Sequence, residues 1–256
     1  KVVFIAFALQ WIAFIPAYVF QTEKFYDLMG SITYLSVMWF SLASTSEQFT
    51  ALNGANVAIV LLITLWALRL GTFLFMRIHK DGEDKRFRSI KPSATQFFMT
   101  WTLQGLWVSM CSMCALTAIS SETGVVMNAL FYIGLGLFIY GFCTEIIADN
   151  QKSKFRSIPE NRDKFITTGL WAKSRHPNFF GEIVLWAGIA VMSFSSLNGL
   201  QYLTLISPVF TYLLLVYVSG VRMLEARADK KWGQDEEYVK YKSETPVLMI
   251  KYLGRP

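Results

Sequence analysis

Long, continuously apolar stretches alternate with short polar connections along most of the chain. A membrane-spanning helix needs about 20 consecutive apolar residues. The pattern predicts seven such spans, at 2–20, 28–45, 53–76, 95–119, 124–147, 179–196 and 201–221. The second is the least apolar, because glycine, serine and threonine residues between 30 and 36 dilute it. Runs this long do not fit the alternating strands of a barrel. The sequence therefore predicts an all-α polytopic membrane protein with one helical domain over 1–256.

Composition points to the same class of protein. Hydrophobic residues make up 54% of the chain and charged residues 16%, with a mean hydropathy of +0.38. Soluble globular domains carry about 25% charged residues. The deficit argues against a soluble protein.

The basic residues fall into three segments, which predicts the orientation of the helices. Lys and Arg cluster at 77–94, at 148–177 and in the tail from Arg222, whereas the connections at 46–52, 120–123 and 197–200 contain none. With seven spans, all three basic segments lie on one face, and the positive-inside rule assigns that face to the cytosol or its organellar equivalent. The N-terminus is then outside and the C-terminus inside, in a bacterial inner membrane or a eukaryotic organelle membrane. The net charge of +6 mainly sets this orientation and attracts anionic lipids; no basic and aromatic pattern indicates nucleic-acid binding.

Ionisable residues occur within or at the ends of the predicted spans, where they are costly and usually face a polar cavity. Arg69 lies inside the third span, Glu145 near the basic end of the fifth, Glu182 one turn into the sixth, and Asp27 at the start of the second. Their placement predicts a single polar cavity that opens towards the basic face. The alternative is that Arg69 pairs with a glutamate only to hold the bundle together.

The densest group of polar residues runs from Ser174 to Glu182, where a basic loop becomes the sixth helix. Pro177 suits a first helical turn, and the free N–H groups there favour an anion. Arg175 adds donors suited to phosphate, and Asn178 and Glu182 share one helix face because they are four residues apart. His176 is either a structural hydrogen-bonding group or part of the site.

Two further helix ends add acids and arginines. Glu145 and Asp149 recur at helical spacing on the fifth helix, with Arg156 beyond them, and Arg222 starts a similar run in the tail. A single charged helix end is normally just solvated. Three charged helix ends beside an anion site instead predict a nucleotide-binding site, in which the carboxylates bind ribose hydroxyls and the arginines bind phosphates.

Several motifs resemble the steroid 5α-reductase-related membrane protein family. The runs TGLWAKSRHPNFFGEIVLWAGI and LEARADKKWGQDEEYVKYKSETPVLM match a branch of that family with the motifs ADxQK, SRHPNxFGE and WGxDxxYxxYKxxTP, and the first motif reads ADNQK at 148–152. QTEKFYDLMGSITY and WALRLGTFLFMRI also match, so the resemblance covers essentially the whole chain. The shorter RHPxxxG is shared with isoprenylcysteine carboxyl methyltransferases.

The resemblance implies seven helices, with NADPH held in the cofactor half, 124–256, and open to the cytosol. It implies hydride transfer to an activated carbon–carbon double bond of a hydrophobic, sterol- or enone-type substrate. Asn178 and Glu182 match positions that line the nicotinamide, and Arg69, Asp149 and Arg156 match positions near the ribose and phosphates. The predicted cofactor-binding residues are Arg69, Glu145, Asp149, Arg156, Arg175, His176, Asn178 and Arg222. The predicted catalytic residues are Tyr26, Asp27 and Glu182, with no metal.

One departure from the family keeps other functions open. Steroid reductases have a tyrosine three residues before the arginine that matches Arg69, where this chain has Trp66; an indole N–H donates a hydrogen bond but is no practical proton source. Tyr26 and Tyr34 are the candidate substitutes. The first alternative is an S-adenosylmethionine-dependent membrane methyltransferase. The second is a non-catalytic subunit of a larger membrane complex, which the loss of that tyrosine would fit.

Overall fold

The computed structural model describes residues 1–46 and 53–251, and the regular structure of these residues is entirely helical. In chain order the longer helices are α1 (Val2–Val19), α2 (Tyr26–Ser46), α3 (Gly54–Asp81), α4 (Ala94–Ile119), α5 (Ala129–Ser157), α6 (Pro177–Ser193), α7 (Ile206–Leu213), α8 (Val221–Trp232) and α9 (Glu236–Glu244).

Six helical stretches of the described chain are long and apolar enough to cross a membrane: α1, α3, α4, α5, Pro177–Ser196 and Gly199–Trp232. The protein is therefore an all-helical membrane protein. α2 has 21 residues but is not among the six. The seven-span count and the orientation of the helices stay predictions.

The helix bounds agree well with the apolar pattern except near the ends of two predicted spans. α5 starts at Ala129, five residues later than predicted, and continues ten residues past 147 into the basic segment. The last predicted span is not one regular helix, because a 3-10 stretch at Gly199–Leu205 precedes α7 and a π-helical turn at Leu214–Val218 follows it. Hydropathy reports burial in lipid and not hydrogen-bond register, so it does not detect such irregular turns.

The chain forms two compact units. Unit 1 consists of Lys1–Met127 together with Ser193–Ser207, and unit 2 of Asn128–Met192 together with the chain from Pro208 onwards. In unit 1, α1, α2 and α4 pack around an aromatic cluster that includes Phe87, Phe97 and Trp101.

Glu23, in the turn between α1 and α2, binds the connection between α3 and α4. This carboxylate is 4% exposed, accepts a hydrogen bond from the Asp84 N–H at 2.9 Å and pairs with Lys91 Nζ at 2.5 Å. Within the same loop, Asp84 also accepts hydrogen bonds from Arg86. The loop is thereby held at a fixed position beside the first turn of α2.

Replacing Glu23 by Gln is expected to lower the free energy of unfolding by about 2 kcal/mol, since a buried carboxylate with two donors is lost and Lys91 is left without its counter-charge. Chemical unfolding of the purified protein in detergent measures the change. Glu83→Gln is the matched control, because Glu83 pairs with Arg88 at a solvent-exposed site where ion pairs contribute little. An equal loss in both variants would contradict the assignment of Glu23 as an anchor.

In unit 2, α5 and α6 approach so closely that glycine is required at the contact. A β-carbon on Gly141 would lie 2.4 Å from the Gly181 carbonyl oxygen, and one on Gly181 would lie 2.6 Å from the Gly141 carbonyl oxygen. Two turns away, Gly134 and Gly188 repeat this reciprocal arrangement at 2.5 and 2.6 Å. Small residues let helix backbones approach within a membrane, and here they fix the register of α6 on α5.

Candidate functional site

Three buried carboxylates lie on α5 and α6 beside the Gly141–Gly181 contact. Glu145 is 2% exposed, Asp149 6% and Glu182 8%. A β-carbon on Gly181 would lie 2.7 Å from the Glu145 backbone nitrogen, so Glu182, the next residue on α6, is held at the same level as Glu145. Burying a carboxylate is costly unless it is paired or hydrogen-bonded. This level of unit 2 is therefore strongly polar inside the protein.

Residues of the ADNQK motif, near the end of α5, bind the loop between α5 and α6. Trp171 Nε1 donates to the Ala148 carbonyl at 2.9 Å, and the Leu170 N–H donates to Gln151 Oε1 at 2.9 Å. Lys152 Nζ lies 4.4 Å from the centre of the Trp171 ring, a cation–π contact. The motif thus positions the loop that leads into 174–182.

The chain after α9 holds the same turn from another direction. The Arg175 N–H donates to the Pro246 carbonyl at 2.9 Å, and the His176 N–H to the Val247 carbonyl at 3.1 Å. Ser174 Oγ donates to the Leu248 carbonyl at 2.8 Å. These two backbone N–H groups, just before α6, are therefore hydrogen-bonded within the protein and do not face an anion.

Glu225 on α8 joins the side chains of the turn. Arg175 Nη1 donates to Glu225 Oε2 at 2.6 Å, and His176 Nε2 lies 2.7 Å from Glu225 Oε1. One turn further along α8, Asp229 accepts hydrogen bonds from Tyr238 Oη at 3.0 Å and from Lys242 Nζ at 2.5 Å. The acids of α8 therefore connect the 174–182 turn with α9 in one network.

Burial lowers the pKa of His176 below its ordinary value of 6.5, although the hydrogen bond to Glu225 acts in the opposite direction. The nearby cations Lys152 and Arg175 lower the pKa further. The imidazole is therefore neutral at pH 7. Buried Tyr238 and half-buried Tyr241 have raised pKa values, chiefly because burial disfavours the phenolate, so both keep their hydroxyl protons.

The lowered pKa predicts how stability depends on pH. As the pH falls below about 6.5, the unfolded chain protonates His176 more readily than the folded protein does, because folding lowers the pKa of His176. The unfolded state therefore binds more protons, and stability falls as pH decreases through this range. We expect His176→Gln to reduce this fall between pH 6.5 and 5, as measured by thermal unfolding in detergent. His79→Gln, which replaces an exposed histidine, is the control. A wild-type slope in His176→Gln would refute the prediction.

The other predicted residues of unit 2 lie near the ends of α5, α6 and α8. Asn178 is half-buried in the first turn of α6, Arg156 is exposed in the last turn of α5, and Arg222 is exposed in the first turn of α8. The structure therefore brings Glu145 and Glu182 to the same level on adjoining helices, with Asp149 buried one turn further along α5. It leaves both arginines at the polar surface of this unit.

Three predicted residues belong to unit 1. Tyr26 is packed between Phe87 and Trp101, with ring centroids 5.0 Å away in each case, and its hydroxyl donates to the Thr100 carbonyl at 3.0 Å. Asp27 follows in the first turn of α2 and is half-buried. The Arg69 guanidinium lies 5.2 Å from the centre of the Phe73 ring.

Sequence reasoning included Glu225 in the charged run that Arg222 starts, but it did not pair Glu225 with Arg175 or His176, and it did not place residues 246–248 in the site. Glu225 is 49 residues from His176, and the tail is further away, so no local spacing reports either contact. The available signal was the pair of acids, Glu225 and Asp229, four apart in an otherwise basic segment. That spacing puts both carboxylates on one helix face, and a cation is expected to pack against that face.

A family model described as a protein of unknown function, DUF1295, matches residues 13–245, a range that takes in every candidate residue. The chain belongs to this family. The family includes steroid 5α-reductase-like membrane proteins. Over 116 residues the chain is also 30% identical to a probable O-methyltransferase, ustE, from Ustilaginoidea virens. That alignment covers 40% of this chain and 41% of the relative, so the match extends over less than half of either protein. No solved structure matches the chain.

Proposed function

We propose that this DUF1295 protein is a membrane-embedded, NADPH-dependent reductase that acts on a carbon–carbon double bond of a lipid-like substrate. The observation that carries the proposal is the group of buried carboxylates, Glu145, Asp149 and Glu182, on two helices packed backbone to backbone. Three acids are more than a single structural ion pair requires. The family resemblance assigns Glu182 to the nicotinamide end of the cofactor and Asp149 to the ribose and phosphates, and the burial of both carboxylates supports that assignment.

The residue types present fit the proposed cofactor. Ribose hydroxyls and the nicotinamide carboxamide are hydrogen-bond donors, and buried carboxylates are strong acceptors for them. Asn178, half-buried and one turn before Glu182, adds an amide that can both donate and accept. The exposed guanidinium groups of Arg156 and Arg222 suit phosphates. When bound, NADPH supplies the hydride.

In the proposed reductase, Arg175 and His176 hold the turn before α6 in position. Their side chains share the Glu225 carboxylate at 2.6 and 2.7 Å, and their N–H groups bind the tail. This network fixes the start of α6, and with it the direction of Asn178 and Glu182.

Tyr26 and Asp27, the residues predicted to polarise a substrate, belong to unit 1. The Tyr26 hydroxyl already donates to the Thr100 carbonyl at 3.0 Å, which leaves Asp27 as the remaining candidate. Trp66 is 3% exposed and its ring meets that of Tyr34 at 5.0 Å. The position that carries a tyrosine in steroid reductases is here part of an aromatic contact, so a 3-keto-steroid is not the proposed substrate.

A second candidate function, methyl transfer from S-adenosylmethionine, is favoured by the printed activity of the relative from Ustilaginoidea virens. Buried carboxylates also suit the ribose of that cofactor, so they do not separate the two functions. The exposed arginines favour NADPH, because S-adenosylmethionine has no phosphate for them to bind.

Equilibrium binding distinguishes these functions. Purified protein in detergent is titrated separately with NADPH and S-adenosylmethionine, and the proposal expects micromolar or tighter binding of NADPH alone. Binding of S-adenosylmethionine without NADPH would establish the second function instead. Binding of neither cofactor, together with recovery in a stoichiometric membrane complex, would establish a non-catalytic subunit.

A further inference from the structure

The tail segment, residues 246–251, follows α9 and lies along the turn before α6. Its carbonyl groups accept hydrogen bonds from the N–H groups of Arg175 and His176. At its far end, the Lys251 N–H donates to the Lys173 carbonyl at 3.0 Å. Backbone hydrogen bonds therefore fix both ends of the tail segment on the protein, and they determine which of its side chains point outwards.

The outward side of the tail segment combines apolar and basic groups. Met249 is 73% exposed and Val247 37%, whereas Ile250 is only 6% exposed and packs against the protein. Lys173 and Lys251 are also exposed. Because the backbones of these two lysines are hydrogen-bonded to each other, their ammonium groups belong to the same surface. We call Lys173, Val247, Met249 and Lys251 the tail patch.

The cations of the tail patch have no acidic partner. Within the described part of the chain, neither Lys173 nor Lys251 forms an ion pair with a carboxylate. By contrast, Lys242 of α9 pairs with Asp229 at 2.5 Å. The tail patch therefore carries a positive charge that the described protein does not neutralise, next to an exposed methionine.

The start of α6 places the tail patch at the level of lipid head groups. The stretch Pro177–Ser196 has 20 residues and is apolar enough to cross a membrane, a length that matches a hydrocarbon core of about 30 Å. The head groups add about 5–7 Å on each side of that core. Lys173, with the turn that binds the tail segment, comes directly before this stretch, so the tail patch lies within the head-group layer.

Apolar and basic groups side by side are complementary to the surface of an anionic phospholipid leaflet. Apolar side chains of an interfacial segment enter the boundary between head groups and acyl chains. Lysine side chains extend along such a surface and present their ammonium groups to the phosphates. A neutral leaflet would leave the two lysines without added counter-charge, and an acidic protein partner would have to bind within the head-group layer.

We propose that the tail patch docks into an anionic phospholipid leaflet and thereby holds the tail segment on the turn before α6. The proposal goes beyond the reductase function and does not depend on it, because no residue of the tail patch is assigned to the cofactor or the substrate. Each lysine near an anionic leaflet is expected to strengthen docking about fivefold. Salt screens this attraction, so docking should weaken at high ionic strength.

A fluorescent label at position 249 tests the docking directly. Cys143→Ser removes the exposed cysteine, and Met249→Cys in that background is labelled with an environment-sensitive fluorophore. The protein is reconstituted in phosphatidylcholine nanodiscs with or without phosphatidylglycerol. We expect a blue shift of the emission when phosphatidylglycerol is present, reversed by high salt. The same label at Gln234, in the exposed turn before α9, should remain in water in both lipids.

Charge variants distinguish the tail patch from general attraction to anionic lipid. Lys173→Gln and Lys251→Gln should each lower the ratio of inserted to water-exposed label about fivefold in phosphatidylglycerol nanodiscs. Lys240→Gln is the matched control, because Lys240 is also exposed but lies four residues from both Glu236 and Glu244 on α9. These carboxylates offset its attraction to an anionic leaflet. An equal loss in all three variants would overturn the proposal.

Hydrogen exchange tests whether docking holds the tail segment in place. The N–H groups of Arg175 and His176 donate to the tail segment, so their exchange should slow severalfold when phosphatidylglycerol is present. Unchanged exchange with an inserted label would overturn the holding role. A label shielded equally in detergent and in both lipids would assign the tail patch to a protein contact, such as a second copy. That result, or a label that stays in water throughout, would overturn docking into lipid.

Discussion

Glu182→Gln is expected to weaken NADPH binding by about 10- to 100-fold. Hydrogen bonds to a charged group contribute about 1.5–3 kcal/mol, and 1.4 kcal/mol corresponds to a factor of ten. Glu182 is 8% exposed, so solvent does little to screen its charge. Isothermal titration of the purified variant with NADPH measures the change, and turnover should fall with affinity once a substrate is available.

Glu160→Gln controls for the loss of one negative charge. Glu160 lies in an exposed turn between α5 and α6 and should leave the dissociation constant unchanged. The melting temperature of Glu182→Gln must stay near that of the wild type for the comparison to hold. Unchanged NADPH affinity in a well-folded Glu182→Gln protein would contradict the assignment of Glu182 to the cofactor site.

Gly141→Val is expected to destabilise the protein by about 3 kcal/mol or more, the upper range for overpacking a tight interior. The added β-carbon would lie 2.4 Å from the Gly181 carbonyl oxygen and 2.6 Å from the Leu185 backbone nitrogen. Both are backbone atoms, so no side-chain rotation relieves the contact. The helices must separate, and the level of Glu145 and Glu182 is disturbed with them. Chemical unfolding in detergent measures the loss.

Gly136→Val on the same helix is the matched control. Nothing lies within 4 Å of a β-carbon at Gly136, so only the small effects of an exposed substitution are expected. Equal destabilisation by both variants would mean that the glycines act through helix propensity and not through close packing. A loss confined to Gly141→Val confirms the backbone contact between α5 and α6.

Much of the candidate site could be recognised from the sequence because its residues are chemically out of place. A carboxylate such as Glu145 or Glu182 in an apolar span requires a polar environment wherever it occurs, so its burial was predictable. Arg175 and His176 were predictable as part of a polar turn before α6 but not as partners of Glu225, because a contact between residues 49 or 50 positions apart depends on the direction of α8.

Hydropathy and charge alone determined that this is a helical membrane protein. Within lipid the backbone N–H and C=O groups must bond to each other, which leaves helices as the structure for long apolar segments, and each such helix is specified by its own residues. Only the tertiary structure decided which N–H groups before α6 bind the tail, that glycines bring α5 against α6, and that Glu225 pairs with both Arg175 and His176. These features depend on side chains and backbones from distant segments meeting in space, and no local pattern of residues encodes such a meeting.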